Sequence, residues 1–528
     1  METIFVSIFL AAAVFNMVMR LRLDLQMLQQ NSYRNERYGK WLRTSGDVQS
    51  LSRLVDLLVV LLLFTPFPKV FTLSAGAVIM IVKGFSVLTR KQKKPLVMTK
   101  RVWRLFVEIL VFIAIVASFG ALQGIGFDHA LRMACYVVAA VPVVSWLIVL
   151  LCNASMQPVE RAINKTYVDD ARRRLAAMPD MKIIGITGSY GKTSTKHYLN
   201  RILSEQFDVL MTPGSFNTPM GVVRTVREMM KPYNEVFIVE MGAKNIGDIK
   251  EICDIVHPQI GIVTAVGEQH LESFKSIENV QRTKFELIDA LPADGFGVVN
   301  DDFEYVANRP VDNVKTYRYA VRNTAHADYR ATDIEYDEFG THFTIEGADR
   351  RLRLDTRLVG ECNISNLMAA VIVAMRLGVA DEKIKYAVSH IEQVEHRLNM
   401  KRTPAGVTII DDAFNSNPDG SRMALDVLSR MTKGKRIVVT PGMIELGDKQ
   451  HFHNANFGEH IAETVDVAII VGRYNREAIV EGIRRSGALN DDAIIIVDSF
   501  AEAQQRLATL LSQGDTVLYE NDLPDTFK

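Results

Sequence analysis

Apolar residues are concentrated in roughly the first 150 positions of this 528-residue chain, and that asymmetry limits its folding more than any other feature. Residues 4–19 are almost wholly apolar, and residues 54–88 are broken only by Pro66, Pro68 and Lys69. A run of about 35 residues overshoots a hydrocarbon core of about 30 Å as a single helix. Two short crossings joined by a Pro-rich turn, or a re-entrant hairpin, are expected there. Residues 105–122 and 133–152 read as two further spans. The opening Met-Glu-Thr lacks the basic start of a cleaved signal, so the first run is read as an anchor.

Basic residues flank these runs. Arg20, Arg22, Arg34, Arg37, Lys40 and Arg43 follow the first, Arg90 to Lys94 with Lys100, Arg101 and Arg104 the second, and Arg161, Lys165 and Arg172 to Arg174 the last. The positive-inside bias then places the N-terminus outside and the globular remainder in the cytoplasm, as a multi-pass membrane protein. Five crossings satisfy this topology, and so do three plus a re-entrant segment. Asp56 and Glu108 stand near predicted span ends, where snorkelling accounts for them. The formal net charge is zero, which points to no nucleic-acid partner. Cys135, Cys152, Cys253 and Cys362 show neither C-x-x-C spacing nor a disulfide framework, which fits a reducing compartment and supports no zinc site.

Past the apolar region, Ile183 to Ser194 reads as a buried strand, a glycine-rich turn and the start of a helix. Glycines let the backbone curl around phosphates, and the turn's N–H groups and the helix N-terminus face the anion. Gly188, Ser189, Gly191 and Ser194 belong to that cradle. Lys192 adds a positive charge, and the Thr193 hydroxyl suits a magnesium ion, so ATP and Mg²⁺ are the expected cofactors. The usual loop is G-x-x-x-x-G-K-[ST], whereas Ile186 occupies the place of its first glycine, leaving the compact form T-G-S-Y-G-K-T-S.

Strand patterns at 182–187, 236–240, 260–265 and 297–299 alternate with helical ones, the signature of a mostly parallel sheet covered on both faces. Ligands gather at the carboxyl ends of such strands. Glu240 closes one of them, placed to hold a metal, and His270 follows another. By itself each is more often an ordinary polar residue. Lys284 lies on a helical pattern and reads, alone, as a solvated charge. A second α/β unit has strands expected at 436–440, 467–471, 493–497 and 516–519.

The set T-G-S-Y-G-K-T-S, E-M-G-A, H-L-E-S-F, R-T-K-F-E, G-E-C-N-I-S-N-L-M-A-A and D-D-A-F-N-S-N-P-D-G, in this order, resembles the Mur ligases. The likeness is greatest to the type that adds D-alanyl-D-alanine to UDP-MurNAc-tripeptide. After the transmembrane region (1–155), it implies a central P-loop ATP-binding domain (156–396) and a C-terminal Rossmann-like α/β domain (397–528), in a protein of a bacterial inner membrane. It also implies that a carboxylate is activated by ATP as an acyl phosphate and captured by an amine. Lys192 and Thr193 would grip ATP and magnesium, and Glu240 and His270 would bind metal. Lys284 would be carbamylated into a further metal ligand. Asn363 and Asn366 match the adenine-side asparagines, Arg397 the arginine at the domain junction, and Asp412 the residue that meets the nucleotide from the C-terminal domain. Asn217 and Thr218, with Asn415 and Asn417, would face the substrates.

Three departures qualify the likeness. Membrane segments stand in place of the soluble domain that binds the UDP-sugar. The family's late lysine-glycine-serine segment is replaced by Leu518-Tyr519-Glu520-Asn521-Asp522, and the histidine of its H-N-x-x-N motif is Cys362. The expected partners are thus a small-molecule or lipid-linked cell-wall precursor, an amino acid or dipeptide, and the bilayer. A ligase acting on a lipid-linked precursor or a poly-amino acid is the alternative, and a non-catalytic membrane scaffold a remote one.

Overall fold

A computed structural model of the chain describes residues 2–89, 94–122, 127–337, 340–347, 350–414 and 416–523. Two compact units emerge, one of residues 1–165 and the other of residues 166–523.

The first unit is helical: α1 (Glu2–Gln30), α2 (Asn35–Ser45), α3 (Leu51–Leu62), α4 (Lys69–Thr89), α5 (Lys100–Ala121) and the start of α6 (Phe127–Ala176). Four of these helices are long and apolar enough to cross a membrane: α1, α4, α5 and α6. The chain breaks between α3 and α4 around Pro66 and Pro68, as the sequence predicts. At 12 residues, α3 is about 18 Å long and falls short of a full crossing, so only one complete span lies in that apolar run. The outward faces are apolar, with Leu58 62%, Ile115 63% and Phe119 68% exposed.

Charged pairs lie within the apolar interior of this unit, which corrects the snorkelling account of Asp56. That carboxylate is 1% exposed, pairs with Lys83 and accepts from Asn16 Nδ2 at 2.9 Å. Nearby, Arg53 joins Asp24 at 2.9 Å and Asp47 at 2.8 Å, and donates to the Pro142 carbonyl at 2.9 Å and the Ser145 hydroxyl at 3.0 Å. Charges in an apolar surround persist only when paired and fully hydrogen-bonded. Glu108 is half-buried and accepts from the Ser155 hydroxyl. Removing one partner of such a pair strands the other, at a cost of about 3–5 kcal/mol. Arg53→Ala should therefore lower the melting temperature of the detergent-solubilised protein, whereas exposed Arg43→Ala should leave it unchanged.

The second unit carries two sheets. Around the first lie β1 (Lys182–Thr187), α7 (Lys192–Leu203), β2 (Val209–Met211), α8 (Pro219–Glu228), β3 (Val236–Glu240), α9 (Asp248–Val256) and β4 (Ile260–Val263). Then come α10 (Leu271–Phe274), α11 (Ile277–Asp289), β5 (Phe296–Asn300), α12 (Glu304–Ala307) and β6 (Lys315–Ala320). The antiparallel run β7 (Tyr329–Asp337), β8 (Gly340–Gly347) and β9 (Arg351–Thr356) follows, with α13 (Glu361–Arg376) and α14 (Asp381–Ser389). The nine strands order as β2-β3-β1-β4-β5-β6-β7-β8-β9, parallel from β2 to β7.

The period-2 alternation of side chains divides the two cores. Ile184, Ile186, Val236 and Ile238 pack with Leu199 of α7 and Leu367 of α13. Ile183, Phe237 and Val239 face Val222 of α8, Ile249 of α9 and Phe285 of α11. Strands buried on both faces read as continuous apolar runs, which is why they were legible. The strands β2 and β6–β9 carry no such run and were not anticipated.

The second sheet holds β10 (Asn399–Arg402), β11 (Thr408–Asp412), α15 (Pro418–Ser429), β12 (Arg436–Thr440), α16 (Gln450–Thr464) and β13 (Val467–Val471). It continues with α17 (Arg476–Ser486), β14 (Ile494–Val497), α18 (Phe500–Leu510) and β15 (Thr516–Glu520). Its order is β10-β11-β15-β12-β13-β14, antiparallel only at β10–β11.

Candidate functional site

The glycine loop leaves β1 and opens α7. Gly188 has φ +152°, and a Cβ there would stand 2.0 Å from Thr264 Oγ1. Gly191 has φ +83°, and its Cβ would meet Asn366 Oδ1 at 2.2 Å. Both positions therefore require glycine. Ser189 Oγ donates to the Gly267 carbonyl at 3.0 Å, and Ser194 is buried under the loop. Lys192 Nζ donates to the loop carbonyls of Gly188 (2.5 Å) and Ser189 (3.2 Å), which centres its charge on the cradle. Burial, opposed by the Glu240 charge, lowers the Lys192 ammonium to about 8.

Beside the cradle, Glu240 at the end of β3 is 1% exposed. Its Oε1 accepts from Thr193 Oγ1 at 3.2 Å and Asn217 Nδ2 at 3.1 Å. Its Oε2 pairs at 2.9 Å with Lys196 Nζ, which is itself fully buried and also donates to the Gly214 carbonyl at 2.6 Å. Burial opposes ionisation here, but the Lys196 and Lys192 charges outweigh it and hold the carboxyl below its ordinary value. Thr193 and Glu240 together offer the hard oxygen donors that magnesium takes. Lys196 escaped sequence reading, although its spacing of four from Lys192 puts both on one helix face.

His270 lies within the field of Lys284. It caps α10 with φ +53°, and its Nδ1 contacts Glu445, in the loop after β12. Lys244 Nζ reaches the same carboxylate at 2.9 Å. Burial works against the Glu445 charge, yet His270 and Lys244 hold its carboxyl well below the usual range. Among the described residues, no group of three or more His, Cys, Asp and Glu could hold a metal. Lys284 is 2% exposed on α11 and makes no hydrogen bond or ion pair among the described residues. Burial, reinforced by the Lys192 charge, holds its ammonium well below its ordinary value.

Across the cleft, Tyr190 of the loop donates from its hydroxyl to Asp419 Oδ2 at 2.7 Å, and Glu268 pairs with His453 at 2.6 Å. A cavity of about 360 Å³ lies here, lined by Gly267, Phe303, Arg322, Asp419 and His453 among others. Arg397 lies 4.2 Å over the Phe414 ring, within the fields of Asp412 and Glu240. Asp412 Oδ1 accepts from the Leu398 N–H at 3.1 Å.

Other predicted residues have local duties. Asn363 accepts from the Tyr198 hydroxyl at 2.8 Å and donates to the Val359 carbonyl at 2.8 Å. Asn366 accepts from Thr195 Oγ1 at 3.3 Å. Thr218 and Asn417 cap α8 and α15. Asn415 lies outside the described residues. Burial pushes the Cys362 thiol up to about 12, which leaves it inert.

Two family models match the chain. One, described as Mur ligase middle domain, covers residues 186–374, and the other, described as Mur ligase, glutamate ligase domain, covers residues 396–519. A UDP-N-acetylmuramoyl-tripeptide--D-alanyl-D-alanine ligase of Bacillus subtilis (strain 168) is 30% identical over 342 residues, covering 64% of this chain and 72% of that protein. Solved MurF from Acinetobacter baumannii matches with TM-score 0.61 at 26% identity, over 67% of this chain and 77% of that one. MurF ligase from Thermotoga maritima in complex with ADP matches with TM-score 0.60 at 26% identity, over 68% and 80%.

Two measurements follow from this geometry. Gly191→Ala should abolish ADP binding, read by calorimetry, because its Cβ has no space. Lys196→Met leaves a buried carboxylate unpaired and should destabilise the protein by about 3–5 kcal/mol in denaturant unfolding. Glu240→Gln on that background should recover part of the loss.

Proposed function

This chain belongs to the Mur ligase family, and from that premise we propose that it joins a carboxylate of a cell-wall precursor to an amino acid or to D-alanyl-D-alanine, at the cytoplasmic face of a bacterial membrane. It is an ATP-dependent ligase that works in peptidoglycan synthesis. The observation that carries the finer reading is Thr193 and Glu240 side by side at the glycine loop, within the field of Lys192.

A carboxylate is a poor electrophile. Phosphorylation by ATP makes it an acyl phosphate. The amine then adds to the carbonyl carbon, and the tetrahedral adduct expels phosphate to leave an amide. A magnesium ion, when bound by Thr193 and Glu240, supplies charge neutralisation at the transferred phosphoryl group. Lys192 and the loop N–H groups hold the phosphates in line. Arg397 adds positive charge from the C-terminal domain. Asn217, tethered to Glu240, presents the 216–219 loop to the acceptor. Lys284 is buried and held towards its neutral form, as a nucleophilic amine must be. Attack of that neutral amine on carbon dioxide would form an N–C bond, release one proton and leave a carbamate, which offers the oxygens of a carboxylate.

The four apolar helices favour a second reading, in which the acceptor is lipid-linked and the membrane unit presents it. The test is product mass and ATP turnover with UDP-MurNAc-tripeptide plus D-alanyl-D-alanine, against a lipid-linked tripeptide in vesicles. Turnover that depends on neither pair would sink both assignments. Lys192→Ala should lower turnover by about 100-fold or more, because preorganised charge at a transferred phosphoryl group is worth that much.

A further inference from the structure

The C-terminal sheet ends in a feature the ligase reading does not use. Asp412 closes β11 and Glu520 closes β15, and the two are register partners on adjacent parallel strands. Glu520 Oε2 is buried with no hydrogen-bond partner and stands within the field of the Asp412 carboxyl. Glu520 is 1% exposed, and its Oε1 accepts from the Ser416 hydroxyl at 2.6 Å. Asp412 is only half-buried and stands towards Arg397. Two carboxyl groups on neighbouring strands of a buried site resist ionising together, and an orphaned buried oxygen is satisfied when one of them keeps its proton.

We propose that Glu520 is a positioning residue that shares one proton with Asp412 and so fixes Asp412 as a single negative charge facing Arg397. The proposal rests on the reading that Arg397 and Asp412 meet the nucleotide. Burial and the Asp412 charge push Glu520 well above the ordinary carboxyl range, while burial, opposed by Arg397, raises Asp412 to about 6. The other groups facing the pair do not supply the proton. Asp411 is paired with His396 at 2.8 Å, Cys362 keeps its thiol proton, and the Ser416 hydroxyl is committed to Oε1. The strand beyond is pinned as well: Asn521, at φ +70°, donates from its backbone to the Asp412 carbonyl at 3.2 Å and from its side chain to the Gly442 carbonyl at 2.6 Å. The stretch that departs from the family pattern thus places an acid, not a cation, behind the nucleotide-facing aspartate.

The sign of the pH effect follows. With the proton in place the pair carries one negative charge. Its loss in alkaline solution adds a second beside anionic ADP. In the detergent-solubilised full chain, ADP affinity is measured by calorimetry across neutral and alkaline pH for the wild type, Glu520→Gln and Glu520→Ala. Glu520→Gln keeps a donor towards Asp412, so its affinity should fall less with rising pH. The ratio to wild type should grow by about tenfold, one unit of linkage, towards the alkaline end. Glu520→Ala should be weaker at every pH. The infrared spectrum at neutral pH should contain a protonated-carboxyl band that Glu520→Gln lacks. Superimposable wild-type and Glu520→Gln pH profiles, or the same carboxyl band in both, would overturn the proposal. Failure of the wild type to bind ADP at neutral pH would instead count against the nucleotide reading, and the infrared comparison would still decide the pair.

Discussion

The fully buried pair of Lys196 and Glu240 is the interaction on which the site depends. A carboxylate at the end of a buried strand pays heavily for leaving water, and a neutral carboxyl would be a poor ligand for a hard cation. Lys196 resolves the conflict by sharing the Glu240 charge along one oxygen and leaving the other towards Thr193 and Asn217. The same ammonium holds the Gly214 carbonyl, so the phosphate-loop helix, the acid and the loop of Asn217 move as one body. Preorganisation of that kind is what phosphoryl transfer asks of a protein.

The helical unit also buries charges, here among apolar helices. Its surface is apolar and its interior contains Arg53, Asp24, Asp56 and Lys83, the reverse of a water-soluble domain. In a lipid surround helix association would gain little from hydrophobic burial, and paired charges between helices would favour one arrangement of the bundle. The pairing of Arg53 with Asp24 and of Lys83 with Asp56 therefore reads as specification of one packing. It also explains why hydropathy alone misjudged Asp56: a charge near the end of an apolar run has two escapes, outward to the headgroups or inward to a partner. Only the second places it at 1% exposure.

What was legible in the chain follows the same physical division. Strands buried on both faces announce themselves as apolar runs, so β1, β3 and β4 were placed to within two residues. The short β2 and the antiparallel β7–β9 alternate or are brief, and their burial is set by partners distant in sequence. The glycine loop was visible because its glycines answer to local sterics. Lys196, Lys244 and Glu445 were not, because a charge on a helix or loop looks solvated until the fold closes over it. Glu445 comes from a strand end far along the chain, yet it takes the His270 that the family likeness assigns to metal. Asn363, Thr218 and Asn417 show the opposite case, in which residues marked by a motif already satisfy their neighbours.

These placements bear on how the two α/β domains communicate. Each end of the cleft is bridged by a hydrogen-bonded acid: Asp419 with Tyr190 of the phosphate loop, and Glu445 with His270 and Lys244. Arg397 stands within the fields of Asp412 and Glu240. An incoming polyphosphate brings negative charge to a cleft whose cations are already engaged by acids from both domains. Lys192, resting on neutral carbonyls of its own loop, can turn to the phosphates without breaking an ion pair. Arg397 and Lys244 cannot both do so without loosening the acids they face. A ligand shifts the seating of two domains only by as much as it binds one arrangement better than another, and the acids that bridge this cleft are the groups through which such a difference would act.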